Sequence, residues 1–370
     1  MKCTLRFTRH TAVLDQPVGG DRRSWRERSG LLIEWEDDQG NVGRGEASPL
    51  PGYSPDDLTE AEHDLRPLAN LEWALPESLD DALAWIDQRW RHLRGAARFA
   101  LDMALLDLLG QREHRPAWSL LTSNKDPVAL PLAHLVSARD EAGIAAEIDR
   151  ASSLGYHAFK LKIGADAQAD QLRCSTLRRL RPAAEIRLDA NRAWSEAELL
   201  ERIRPFRDLG CAYIEEPLLT LDLQALAASA PGTAATRAML ERLPVPLALD
   251  ESLQSPGAAA ALDQIAPGLP IAAIVVKPMV LGGIGPSVTL AQAARRHGLG
   301  AVFSHLFDGP LALDATAALA LCWGSPDMAQ GLAPHRALGV WPHRSPCSIE
   351  GSRITPWHGA GFQRLSARME

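Results

Sequence analysis

From residue 129 onward, short β-rich runs alternate with Ala-, Leu- and Arg-rich helical stretches, and this alternation constrains the fold more than any other feature. The runs are PLAHLVS, FKLKIG, EIRLDAN, AYIEEP, PLALDES, AAIVVKP and GAVFSH, with QGLAP as a candidate eighth. Alternating strands and helices predict parallel βαβ units. The spacing agrees: 27 residues separate Lys162 from Asp189, 26 separate Asp189 from Glu215, and 27 separate Asp250 from Lys277. The interval from Glu215 to Asp250 is longer, at 35, and its ASAPGTAATRAML stretch reads as a surface insertion within 217–249. Seven or eight units over about 205 residues fit an α/β fold of the (β/α) barrel type. A doubly wound open sheet is the alternative.

The remainder of the 370 residues predicts an α+β capping domain. Residues 2–48 read as antiparallel strands. They hold a polar loop, QPVGGDRRSWRERSG, and a hairpin turn at Gln39-Gly40-Asn41. Three helical patterns follow near 56–70, 78–92 and 95–112, the last with apolar residues at helical spacing over four turns. The expected boundaries are 1–115 for the cap, 116–335 for the barrel, and 336–370 for a tail returning to the cap.

Bulk properties exclude several functions. A net charge of −7 argues against a nucleic-acid partner. No stretch approaches the ~20 apolar residues of a membrane span, and the amino terminus lacks the apolar core of a secretory signal. Five cysteines, widely spread and never in a Cys-x-x-Cys pair, fit reduced thiols and a cytoplasmic location.

Alternate residues of a strand share a face. Lys160 and Lys162 therefore point together, as do Arg187, Asp189 and Asn191, and all precede loops at the carboxyl ends of strands. Glu215, Asp250 and Lys277 hold the same position on later strands, which in a barrel is the catalytic face. Asp189, Glu215 and Asp250 form an all-oxygen set suited to a hard divalent cation, Mg²⁺ with Mn²⁺ as a substitute. Of 39 basic residues only five are lysine, at 2, 125, 160, 162 and 277. Lysine can lose its proton when buried and arginine effectively cannot. Lys162 and Lys277, on opposed strands around a metal, suggest proton abstraction next to the carboxylate of a small-molecule substrate. The bland reading is that the lysines only pair the carboxylates.

Weaker signals remain. Leu281-Gly282-Gly283-Ile284-Gly285 could cradle a phosphate, although glycines after a strand are more often turn formers. His305 and Asp308 could pair as base and orienter, with a structural role favoured. A Gly-x-Ser-x-Gly elbow and a Gly-x-Gly-x-x-Gly fingerprint after a strand are both absent.

Together, Lys-x-Lys (160–162), Asp-Ala-Asn (189–191), Ile-Glu-Glu-Pro (214–217), Asp-Glu-Ser (250–252) and Lys277 resemble the enolase superfamily and its muconate-lactonizing subgroup. A lysine base beside Mg²⁺ is a known trait of that superfamily, so this assignment comes with the resemblance. Finer stretches are similar to the o-succinylbenzoate synthases: Gly45 to Tyr53, Arg187 to Trp194, Ala248 to Leu253 and Val276 to Gly283. The resemblance implies a barrel of modified TIM type and a dehydration belonging to menaquinone biosynthesis. It implies Lys162 as base and Lys277 as stabiliser of the anion, with Asp189, Glu215 and Asp250 on the metal. Lys160, Arg187, Asn191 and Ser304 would contact substrate or orient the base, and loops near 16–30 and 49–54 would close over the barrel. The long fourth interval and the Ser304–Asp308 stretch depart from the family pattern where substrate contacts are expected. The rivals are an N-succinylamino acid racemase, a muconate cycloisomerase and a dipeptide epimerase, the last disfavoured because 327–336 lacks Asp-x-Asp. A catalytically dead barrel kept for binding is the rival outside enzymology. A homo-oligomer is compatible with the sequence.

Overall fold

The computed structural model describes residues 1–19, 24–124, 126–342 and 348–362, leaving Lys125 and Cys347 outside the described residues. The amino-terminal strands are β1 (Lys2–Gly19), β2 (Ser24–Asp37) and β3 (Val42–Ala47), followed by α1 (Leu58–Leu65), β4 (Glu72–Ala74), α2 (Leu79–Trp90) and α3 (Gly95–Arg112). The sheet is antiparallel in the order β3-β2-β1-β4.

Of the polar stretch expected as a loop over 16–30, residues 20–23 lie outside the described residues, and 16–19 and 24–30 are strand. Val18 pairs with Trp25 and Val13 with Glu27, so β1 and β2 stay paired out to Gly19 and Ser24. The cause is burial: Val18 and Arg28 are sequestered there, and paired strands satisfy backbone groups that a loop would leave unpaired. The turn at Gln39-Gly40-Asn41 forms as expected. Asp37 Oδ1 accepts the amides of Gln39 and Asn41, and Gly40 takes φ +82°. Helix α3 is buried along nearly its whole length and lies directly on β3. Gly43 and Gly45 allow this approach, since a Cβ at either would sit 2.1 Å from the carbonyl oxygen of Ala104 or Ala100.

The second unit begins with β5 (Leu130–Pro131), β6 (Ala133–Val136), α4 (Glu141–Ser153), β7 (Ala158–Lys162), α5 (Ala167–Leu180), β8 (Glu185–Asp189), α6 (Glu196–Ile203) and β9 (Tyr213–Glu215). It continues through α7 (Leu223–Ala227), α8 (Thr233–Leu240), β10 (Leu247–Leu249), α9 (Ala258–Ile265), β11 (Ile271–Val276), α10 (Pro278–Leu281), α11 (Ile284–Arg296), β12 (Gly300–Phe303) and α12 (Pro310–Trp323). Strands β6 to β12 form one parallel sheet in sequence order. QGLAP is not a full eighth strand. Only Gln330 and Gly331 bridge, to Leu132 and Ser304, and these two contacts curl the sheet closed. The long interval before β10 holds α7, whose Leu223 and Leu226 are buried, and then α8.

The period-2 pattern separates two cores. Phe159, Leu161, Ile186, Leu188, Ile214, Leu249, Ile274, Val276 and Phe303 are buried in the large core of the molecule. Each such side chain contributes about 1.5–3 kcal/mol on leaving water. Tyr213, Ala248, Ala273, Val275 and Val302 form a separate cluster of alternate strand positions. After residue 348, β13 (Ile349–Glu350) pairs with β14 (Arg353–Ile354), which in turn pairs with β5. Residues 357–362 then reach Trp118 and Asp107 of α3 by hydrogen bonds. No helix among the described residues is long and apolar enough to cross a membrane.

Candidate active site

Strand pairing sets the site. Lys162 lies beside Asp189 and Asp189 beside Glu215, each at the carboxyl end of its strand. The carboxylates of Asp189, Glu215 and Asp250 are about as buried as core residues, at 2, 1 and 2 % exposure. Lys160 Nζ lies 2.8 Å from Asp189 Oδ2 and 2.7 Å from Glu215 Oε2. Lys277 Nζ donates to Asp250 Oδ2 and stands 3.9 Å from Glu215 Oε1. Among the described residues, no three His, Cys, Asp or Glu side chains converge tightly enough to hold a metal as placed. The physical reason is that the two ammonium groups stand between the carboxylates.

The two opposed lysines differ. Lys162 has neither a side-chain hydrogen bond nor an ion pair among the described residues, and burial lowers its pKa from lysine's ordinary value. For Lys277, burial also disfavours the charge, but Asp250 and then Glu215 outweigh it and raise the pKa. Lys160 is held well above its ordinary value in the same way, by Asp189 and Glu215 against burial. Asp189 is lowered, because three ammonium groups outweigh its burial.

Other carboxyls behave oppositely. Glu215 is pushed up to about 8 by burial and then by Asp189. Glu251 is pushed up to about 9 by burial and then by Asp250. Glu215 Oε1 and Glu251 Oε2 are buried without a hydrogen-bond partner. Surplus negative charge, an orphaned carboxylate oxygen and an all-oxygen donor set are what a hard divalent cation requires. The residues present fit such an ion.

Several residues were not legible in sequence. Glu216, at φ +38°, accepts the Asp250 amide and the Ser252 hydroxyl, both at 2.9 Å, and so orients Asp250. Its only signal was the second glutamate of Ile-Glu-Glu-Pro. Tyr53, from the loop after β3, donates to Asp250 Oδ2 at 2.8 Å and accepts from Lys277 Nζ at 2.7 Å. Nothing local to Tyr53 announces a partner 224 residues away.

Three further expected residues take partners of their own. Arg187 does not reach the mouth. Its guanidinium bonds Glu185 and the Ala329 carbonyl and lies 5.1 Å from the Tyr213 ring, one pleat below Asp189. Sharing a face placed it inside the barrel, but not at the same depth. Ser304 gives its hydroxyl to the Gly331 carbonyl at 3.2 Å, where the barrel closes. Asn191, at φ +44°, reaches Glu251 Oε1 at 3.5 Å.

His305 and Asp308 form no dyad. His305 Nε2 donates to the Ala333 carbonyl at 3.1 Å, so its Nδ1 is free to accept the Phe307 amide at 3.0 Å. The glycine stretch after β11 already faces an anion. Asp102 of α3 accepts the Ile284 amide at 2.9 Å, and a Cβ on Gly283 would lie 2.2 Å from Asp102 Oδ2. That carboxylate takes the place a phosphate would need at the amino terminus of α11.

Residues 143–362 match the family model described as enolase C-terminal domain-like. The chain belongs to the enolase superfamily. As an enzyme of that superfamily it is 28% identical over 360 residues to the o-succinylbenzoate synthase of Desulfotalea psychrophila, covering 89% of this chain and 92% of that one. It is 25% identical over 293 residues to the N-succinyl-L-Arg/Lys racemase of Bacillus cereus, covering 75% and 72%. The fold matches a dipeptide epimerase from Methylococcus capsulatus complexed with Mg and the dipeptide L-Arg-D-Lys, with a TM-score of 0.79, 24% identity and coverage of 99% and 100%.

Proposed function

We propose that this superfamily member dehydrates 2-succinyl-6-hydroxy-2,4-cyclohexadiene-1-carboxylate to o-succinylbenzoate, a step of menaquinone biosynthesis. Asp189, Glu215 and Asp250 would hold Mg²⁺, which when bound supplies electrophilic stabilisation to negative charge on the substrate carboxylate. Lys162 accepts the proton from C1, next to the carboxylate. The electrons of that C–H bond pass into the carboxylate, giving an enediolate, and then return to form the ring double bond between C1 and C6 as the C6–O bond breaks. Lys162 then returns its proton to the departing hydroxide, which leaves as water on the same face. Lys277 keeps its charge opposite and stabilises the carboxylate as it gains electron density. Lys160 holds Asp189 and Glu215 in place.

The supporting observation is the unequal state of the two lysines. A racemase needs both to exchange protons with substrate, whereas a syn elimination needs only one. Lys162 is unpaired with a lowered pKa, while Lys277 is held by both Asp250 and Tyr53. The second reading, racemisation of an N-succinylamino acid, draws on the opposed placement of these lysines and on the racemase relative.

The test is direct. The purified protein with Mg²⁺ is given the cyclohexadiene substrate, and aromatic product is followed by absorbance. Product formation supports dehydration. Solvent deuterium entering the α-carbon of N-succinylamino acids, with no aromatic product, selects the racemase.

A further inference from the structure

The loop that carries Tyr53 is fixed from several sides. The Tyr53 and Ser54 amides both donate to the Leu50 carbonyl, at 3.0 and 2.9 Å, and Ser54 Oγ accepts the Leu50 amide at 2.9 Å. Arg28 of β2 grips the Ser48 and Pro49 carbonyls at 2.6 and 3.2 Å, and Trp25 Nε1 donates to Pro51 at 3.0 Å. Leu50 is buried with Val280 and Leu306, and Tyr53 packs on that cluster. The hydroxyl therefore arrives over the barrel mouth already placed, with little rotamer freedom left to lose.

A phenol hydroxyl has one proton to donate and lone pairs to accept with. Here the proton goes to Asp250 Oδ2 and a lone pair receives Lys277 Nζ. The ammonium also lies 4.9 Å from the Tyr53 ring centroid, close enough for a favourable cation–π contribution. Asp250 is one of the carboxylates that would turn to a divalent cation. Whatever fraction of Asp250 a cation takes up, the Tyr53 oxygen remains as an acceptor for Lys277. No other group among the described residues offers Lys277 a neutral acceptor, and Lys162 has no equivalent at all.

We propose that Tyr53 is a positioning residue for Lys277. Its hydroxyl pins the ammonium on the Asp250 side of the mouth and confines proton exchange with substrate to the Lys162 face. The inference deepens the proposed dehydration and rests on it for its functional meaning, but the contact itself can be tested without turnover. It also ties chemistry to the amino-terminal unit, because lifting the 48–54 loop removes the restraint on Lys277.

The small number of lysines makes the experiment clean. The Mg²⁺-loaded protein and its Tyr53→Phe variant are exposed briefly to acetic anhydride, and acetylation of each lysine is timed by peptide mass. Phenylalanine keeps the ring packing and removes only the hydroxyl. The Lys277-to-Lys162 labelling ratio is expected to rise about tenfold or more, the order set by losing one hydrogen bond to a charged group. An unchanged ratio overturns the proposal. So does a uniform rise that includes Lys2 and Lys160, since that would show the hydroxyl merely supporting the fold. Dehydration is assayed in parallel. A raised ratio without aromatic product in either protein upholds the role of Tyr53 and removes only the reaction. An unchanged ratio with product formed does the reverse.

Discussion

The Glu46 carboxylate accepts the backbone amide of Gly309 at 2.6 Å, joining the end of β3 to the loop after β12 across 263 residues of sequence. Ser48 donates its hydroxyl to the same oxygen, and a Cβ on Gly309 would fall 2.2 Å from Glu46 Oε2. Glu46 is fully buried and pushed up to about 7, by burial first and also by Asp308, which burial itself lifts to about 6. Among the described residues, the Arg28 guanidinium in this seam bonds only carbonyl oxygens, Phe307 at 2.9 Å among them.

This gives a pH prediction. A carboxyl whose folded pKa is raised binds more protons folded than unfolded, so stability falls as pH rises between the two values. For Glu46 that window runs from about 4.3, the unfolded value, to about 7. Glu46→Gln removes the titration and keeps an oxygen for Gly309. Above pH 7 it should recover up to about 3 kcal/mol relative to the wild type. Thermal melts from pH 4.5 to 8 check this, and parallel curves for the two proteins would refute it.

Lys162→Ala should lower the dehydration rate by about 10²–10⁴-fold, the range of general base catalysis. Substrate KM should change much less, because Lys162 makes no side-chain hydrogen bond among the described residues that would order the site. Steady-state kinetics decide it, and a variant retaining a tenth of the rate would remove Lys162 as the base.

Chelating divalent cations should abolish turnover, with Mg²⁺ restoring it. Glu215→Gln removes one charge from the three-carboxylate set. Residues that only orient a metal's ligands typically cost 10–100-fold in affinity when changed, so a direct ligand should cost at least about tenfold. Calorimetric titration with Mg²⁺ measures this without substrate, and unaltered affinity would exclude Glu215.

Gly45→Ala should destabilise the protein by about 1–3 kcal/mol, the usual penalty of overpacking. The added methyl would sit 2.1 Å from the Ala100 carbonyl oxygen and 2.9 Å from Met103 Cγ, so β3 must move off α3. Because β3 leads straight into Glu46 and the Tyr53 loop, activity should fall alongside stability. Denaturant midpoints provide the measure, and an unshifted midpoint contradicts the packing argument.

The barrel was legible because its signal is local and repeated. A period of two tells which residues of FKLKIG or EIRLDAN share a face, and regular spacing repeats that information from strand to strand. Lys162, Asp189 and Glu215 therefore came out as neighbours from sequence alone. The same period misjudged Arg187, because it reports the face and not the depth. The strand pairing of 16–19 and 24–30 was missed because charged residues such as Arg28 are buried there by long-range partners that no local pattern records.

What the sequence determined by itself is the ring of strand ends and its chemistry, three carboxylates and three lysines on one face, since alternation and spacing follow from covalent geometry. What only the tertiary structure decided is how the two opposed lysines differ. Lys162 and Lys277 look equivalent along the chain. They become unequal when the 48–54 loop, held by Arg28, Trp25 and the Leu50 cluster, brings the Tyr53 hydroxyl onto one of them. Hydrogen bonds act over a few ångströms of space and are indifferent to separation in sequence.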